Sequence, residues 1–127
     1  MKNFSLICIA ALALACGGSD EPAPLTAQPA PLIAETGTVA APDGVEIAYT
    51  VVGEGSPALV FIHGWMCDQT FWQAQVDAFA PTNTVVTVDI AGHGLSGTNR
   101  EGWPLLAFGG DVQAVVEFLD LSDVVLI

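Results

Sequence analysis

Two short stretches concentrate the residue types that could do chemistry. One is His63-Gly64-Trp65-Met66-Cys67-Asp68; the other is Asp89-Ile90-Ala91-Gly92-His93-Gly94-Leu95-Ser96-Gly97. Between them they hold both histidines of the chain. Residues 92–97, "GHGLSG", fit G-x-G-x-x-G, the fingerprint of a dinucleotide-binding loop, and also set a serine among glycines as a nucleophile requires. A dinucleotide loop passes directly from strand into helix, so that the helix N-terminus meets the pyrophosphate. Here "TNREGWP" follows Gly97, and Gly102 and Pro104 delay any helix. A serine elbow has the form G-x-S-x-G on a tight strand-to-helix turn. In Gly94-Leu95-Ser96-Gly97 the closing glycine comes one residue too early, and no helix follows at once. Ser96 therefore reads as a loop hydroxyl bonded to nearby backbone, which leaves the third reading, a stretch that is neither cradle nor elbow and sits near a site.

The other candidates divide in the same way. His63 has the chemistry of a general base, but a histidine hydrogen-bonded beneath its own loop is the simpler expectation, and the same holds for His93. Asp89 beside two histidines without paired spacing is poor ground for a metal site; no metal and no cofactor is implied. Cys67 reads as a small hydrophobe. Asp68 stands where a helix N-cap is needed.

The elements that position these loops follow from periodicity. "TVAA" and "VEIAYTVV" flank Pro42-Asp43-Gly44, a turn in which proline presets φ and glycine accepts a positive one; a β-hairpin is predicted. "ALVFI" is an unalternating apolar run, as expected of a strand covered on both faces. Trp72, Val76 and Phe79 share one helical face between about Gln69 and Ala80, and Pro81 stops that helix. "TVVTVDI" is a second buried strand. Phe108, Val112, Val115 and Leu119 follow helical spacing, with Asp111 and Glu117 expected to point away from that apolar face. "DVVLI" is a third strand. An antiparallel hairpin followed by strand–helix alternation predicts an α/β fold: a mixed, mostly parallel sheet with helices on both faces. Functional loops then belong at the carboxyl ends of the parallel strands, where both stretches fall.

Charge and composition bound the partners. Two basic residues stand against 14 acidic ones, a net charge of −12. That excludes a phosphate-tracking surface and so a nucleic-acid partner, and an anionic membrane has no basic face to meet. The N-terminus has a different character. Lys2 precedes the apolar run "FSLICIAALALA", too short for a spanning helix of about 20 residues but suited to an export signal. "ALAC" resembles the lipobox of bacterial lipoproteins, which implies cleavage before Cys16 and lipid on that cysteine. Residues 1–15 are thus expected to be a signal peptide, residues 16–37 a proline-rich spacer, and residues 38–127 a domain. The implied location is the bacterial cell envelope, with the membrane met only through the lipid; the simpler alternative is secretion.

"LVFIHGWMCDQTFWQAQV" followed by "VVTVDIAGHGLS" resembles the N-terminal half of the α/β-hydrolase fold family. In that family a strand ends in His-Gly, here His63-Gly64, and the next parallel strand ends in D-x-x-G-x-G-x-S, here Asp89 to Ser96. Arg is common after the Asp; this chain has Ile90. The resemblance implies a truncated α/β-hydrolase sheet over residues 38–127. It implies an oxyanion hole built from His63, Gly64 and Trp65, with the Trp65 N–H as donor. Met66, Asp89, Gly92, His93, Gly94 and Ser96 are implied to line the pocket and rim. It places the nucleophile just after "DVVLI", with the acid and catalytic histidine later still, so all three are expected beyond Ile127. The implied activity is that of an exported hydrolase acting on a small-molecule ester or related acyl bond, this part alone being inactive. The alternatives are a non-catalytic lipoprotein binding module and an inactive fragment.

Overall fold

The computed structural model describes residues 32–127. The proposed signal peptide, Cys16 and most of the spacer lie outside the described residues. The elements run β1 (Ala34–Ala40), β2 (Glu46–Val52), β3 (Ala58–Ile62), a 3-10 turn (Gln69–Trp72) leading into α1 (Gln73–Phe79), β4 (Val85–Val88), α2 (Leu105–Phe118) and β5 (Val124–Leu126). β1 begins at Ala34, four residues inside the stretch read as spacer. Its backbone pairs in register with β2 from Ala34↔Val52 to Ala40↔Glu46, so a ladder partner, not side-chain composition, sets its start.

The five strands form one sheet in the order β1-β2-β4-β3-β5. β1–β2 and β2–β4 are antiparallel, whereas β3 runs parallel to both β4 and β5. The expected mixed sheet, hairpin first and parallel strands after, is the fold observed. The chain leaves β3 towards one neighbour and returns from α2 to its other neighbour. Strand order therefore reverses around β3, where open α/β sheets place their crevice.

Alternation along the strands divides the core between the two faces. Ile47, Tyr49, Val60, Val86 and Val88 pack on the face covered by α2, through Val112 and Val115 with Phe108 and Leu119 beside them. Leu59, Phe61 and Val85 pack on the opposite face under Trp72 and Val76. Each fully buried side chain of this size contributes roughly 1.5–3 kcal/mol, which is why the unalternating runs are strands. Asp68 caps the turn before α1, accepting from the Thr70 N–H at 2.9 Å, and α1 ends at Phe79, two residues before Pro81, with Ala80 as its C-cap. α2 closes in a Schellman arrangement. Asp120 takes a φ of 49°, its N–H bonds to the Glu117 carbonyl, and the Leu121 N–H bonds to that of Val116.

One expectation fails inside α2. Asp111 does not point away; it is fully buried. It lies three residues after Phe108 and four before Val115, on the face those residues bury. Its charge is accommodated because Arg100 reaches it. Glu117 is exposed, as expected.

Candidate functional site

The two stretches meet at the carboxyl ends of β3 and β4. His63 is buried, and its two ring nitrogens are both engaged. Nδ1 lies 2.8 Å from the Gly64 carbonyl, which can only accept, so Nδ1 carries the proton. Nε2 is then free to accept from the Ile90 N–H at 3.3 Å. Asp89 Oδ1, at 3.8 Å from Nε2, is beyond hydrogen bonding. This pattern defines a neutral tautomer with no nitrogen left for proton transfer. The ring fastens the loop after β3 to the loop after β4.

Asp89 makes the second fastening. It is 1% exposed, so its carboxylate must be paired with donors. Oδ1 accepts from the Gln69 N–H at 2.7 Å. Oδ2 accepts from Gln69 Nε2 at 3.1 Å and from the Leu95 N–H at 2.9 Å. Gln69 Oε1 in turn accepts from the Thr87 hydroxyl at 3.1 Å. Gly94 is required beside this carboxylate. Its φ is +50°, and a Cβ there would stand 2.1 Å from Asp89 Oδ2. Ser96 is buried too; its hydroxyl donates to the Asp89 carbonyl and accepts from the Ala48 N–H at 2.8 Å. Asp89 and Ser96, expected on the rim, therefore lie beneath it. A buried carboxylate and hydroxyl, saturated by backbone, shape the loop rather than face a ligand. Ser96→Ala would strand the Ala48 N–H and is expected to cost about 1–3 kcal/mol, read as a lower urea midpoint; an unchanged midpoint would contradict this account of the serine.

Above these fastenings lies a cleft of about 470 Å³. The loop after β3 contributes Trp65, Met66, Cys67 and Asp68; the loop after β4 contributes Gly92, His93, Gly94 and, further along, Trp103. Trp65 is 74% exposed, and its ring meets His93 edge-on at 5.4 Å. His93 also lies 5.0 Å from His63, with Nδ1 3.2 Å from the Ala91 carbonyl. Met66 takes a φ of 61°, costly for a residue with a long side chain, and this turns the loop just after Trp65. Among the described residues the Trp65 N–H makes no hydrogen bond. Free backbone donors at a strand end are what an oxyanion hole needs.

β5 completes the frame. The Ile127 N–H bonds to the Val60 carbonyl at 3.0 Å, and the Ile62 N–H to the Ile127 carbonyl at 2.9 Å. The last residue of the chain thus lies beside the residue preceding His63.

Comparison with known proteins agrees with this arrangement. No protein-family model matches the chain. It is 38% identical over 86 residues to the non-heme chloroperoxidase CPO-A1 of Kitasatospora aureofaciens, covering 67% of this chain and 31% of that protein. It is 36% identical over 91 residues to the bifunctional esterase/perhydrolase DCH of Acinetobacter calcoaceticus, covering 70% and 33%. Among solved structures, the bromoperoxidase of Bacillus anthracis superposes with a TM-score of 0.67 at 30% identity, covering 72% of this chain and 34% of that one. This is a partial α/β-hydrolase fold. Its curated relatives and structural neighbours are α/β-hydrolases, haloperoxidases and esterases among them. The chain spans about a third of the length of the curated relatives it matches.

Within the α/β-hydrolase frame, the roles of Arg100, Asp111 and Trp103 at the site went unrecognised in the sequence. Arg100 bonds Asp111 through Nη2 at 2.5 Å and Nη1 at 3.1 Å, and Asp43 through Nε at 2.6 Å and Nη2 at 3.3 Å. The two carboxylates raise the guanidinium pKa further above its ordinary value, and Arg100 holds the Asp43 carboxyl below its own. Asp111 Oδ2 also accepts from the Ala91 N–H at 3.0 Å, directly behind the His93 turn. Trp103 packs on Gly92, where a Cβ would come within 2.8 Å of the ring, and stacks on Phe108 at 6.2 Å. One signal was available. An aspartate at i+3 from Phe108 on an apolar face needs a cation, and Arg100 is the sole Lys or Arg after Lys2.

Proposed function

We propose that the chain is the N-terminal part of an exported α/β-fold hydrolase that acts on an ester or related acyl bond of a small molecule. The single observation that carries this is the unbonded Trp65 N–H at the mouth of the cleft, on a loop held by His63 and Asp89. It is a preorganised donor for the negative charge that develops on a carbonyl oxygen under attack. Gly64 and Trp65 form the oxyanion side, and Trp65, Met66, His93 and the two glycines form the pocket wall. The nucleophile follows β5 in a longer chain; emerging beside Ile62, it would stand opposite the Trp65 N–H. The esterase relative supports an acyl substrate.

Within the described residues no nucleophile is hydrogen-bonded to a histidine. Both nitrogens of His63 are bonded and the Ser96 hydroxyl is buried. Cys67 makes no hydrogen bond to a histidine among the described residues. The purified 127-residue chain is therefore expected to hydrolyse p-nitrophenyl acetate no faster than buffer, because an acyl-enzyme needs an activated nucleophile. Turnover that disappears on His63→Ala would overturn this. DNA read beyond the codon for Ile127 tests the larger proposal: a G-x-S-x-G, or an equivalent turn bearing Asp or Cys, supports it, and its absence removes it.

Export and anchoring are proposed from the N-terminal sequence. Cys16 is the expected lipidation site, holding the domain at the bacterial cell envelope by acyl chains that contribute about 0.8 kcal/mol per buried CH2. Mass spectrometry of the mature N-terminus is expected to find a diacylated or triacylated cysteine. A free N-terminus at another residue would leave secretion without an anchor.

A further inference from the structure

The cleft has a composition that the acyl-transfer proposal does not require. Two tryptophans line it, Trp65 74% and Trp103 46% exposed. Met66 and His93 add polarisable surface, and Asp68 is the one acidic residue in the lining. Asp68 Oδ1 is taken by the Thr70 N–H and hydroxyl, while Oδ2 makes no hydrogen bond among the described residues. The Thr70 hydroxyl and N–H hold this carboxyl below its ordinary pKa, so it is ionised at neutral pH.

The surroundings add the second constraint. Among residues 32–127 the sole Lys or Arg is Arg100. Its guanidinium lies 5.9 Å from the Trp103 ring centroid, but the side chain is 4% exposed and shared between Asp111 and Asp43. It is neither free nor placed to meet a ligand anion. An anionic group entering the cleft would find a carboxylate and, among the described residues, no free Lys or Arg. A neutral apolar group would fill the space but leave Asp68 Oδ2 without a counter-charge. A compact cation with an apolar surface suits both the exposed indole surface, Trp65 above all, through cation–π attraction, and the carboxylate.

We infer that this cleft binds a quaternary ammonium group, so that the substrate of the proposed acyl transfer carries such a cation on the part seated between Trp65 and Trp103. The substrate assignment rests on the acyl-transfer proposal; the binding itself does not. The test is a titration of the ¹⁵N-labelled 127-residue chain followed at the indole N–H signals. Choline is compared with its neutral isostere 3,3-dimethylbutan-1-ol and with the anion 3,3-dimethylbutyrate. Choline is expected to shift Trp65 and Trp103 while leaving Trp72, which packs on Phe61, in place. Its Kd should be about tenfold below that of the neutral isostere, and the anion should bind more weakly still. Asp68→Asn keeps a competent N-cap, and is expected to remove most of the preference for choline over the isostere. Trp65→Leu, at an exposed position, is expected to weaken choline on its own.

Equal affinity for choline and the alcohol would overturn the inference, since the cleft would then be only an apolar slot. Binding of the anion as tight as that of choline, or saturating choline without movement of either cleft indole, would overturn it as well. Because binding needs no nucleophile, such a failure leaves the acyl-transfer proposal standing. A downstream sequence without a nucleophile removes that proposal and leaves the cation site.

Discussion

Asp89→Ala is expected to lower the stability of the domain by at least about 3 kcal/mol and to loosen both loops of the cleft together. The carboxylate is buried and accepts three hydrogen bonds, two from backbone N–H groups in different loops and one from Gln69 Nε2. Alanine leaves three donors without their buried acceptor, at about 1–3 kcal/mol for each unsatisfied group. Asp89→Asn is the informative partner. It keeps one acceptor oxygen but turns an NH2 group towards at least one donor, so its cost should fall between parent and alanine. Urea midpoints rank the three proteins, and amide exchange at Gln69 and Leu95 reports the loops directly. A loss below about 0.5 kcal/mol for Asp89→Ala, the range of an ordinary surface change, would mean that the carboxylate is not what joins the loops.

The second large effect is expected at Asp111. Asp111→Ala removes the buried half of the Arg100 pair, and breaking a buried pair from one side costs about 3–5 kcal/mol because the remaining charge is left uncompensated. Here Asp43 stays to share the guanidinium, so the loss should fall at the lower end. Asp43→Ala should cost far less, since that carboxylate is 41% exposed and screened by water. The pH dependence has a defined sign. Arg100 holds the folded-state pKa of Asp43 below its ordinary 3.8. The stabilisation from this arm is therefore present above the unfolded value and is lost as pH falls through the depressed one. Acid titration of parent and Asp43→Ala should converge below that range and separate above it. Asp111→Ala also frees the Ala91 N–H, so the indole signal of Trp103 and the ring signals of His93 should move with it. Equal losses at Asp43 and Asp111 would contradict the assignment of the buried partner.

Most of the fold was legible because its causes are local. Unalternating runs such as "ALVFI" and "TVVTVDI" can be buried on both faces only within a covered sheet. The spacing of Trp72, Val76 and Phe79, and of Phe108, Val112, Val115 and Leu119, places apolar groups on one side of a helix whatever surrounds it. Asp68 and Pro81 cap and stop α1 through groups a few residues away. The two loops were located in the same way, by following where strands end. The start of β1 at Ala34 was not legible, because residues there with no strand-like composition are ordered by their pairing with β2.

What each polar residue does was decided only in three dimensions. Asp89 and Gln69 are 20 positions apart, and Arg100 and Asp43 are 57 apart; no periodicity links such pairs. By sequence His63 could have been a base, and it is the bonds to Gly64 and Ile90 that commit its nitrogens. By sequence Ser96 and Asp89 belonged to a rim, but burial places them below it. Asp111 shows the physical reason most plainly. A charge on an apolar helix face is a contradiction by local rules, and it is resolved when folding carries one arginine to that point. Sequence alone determined which segments form strands, helices and loops, because periodicity, caps and turns act over a few residues. Tertiary structure decided which side chains build the site and which hold it in place, because burial and hydrogen-bond partners exist only once distant segments meet.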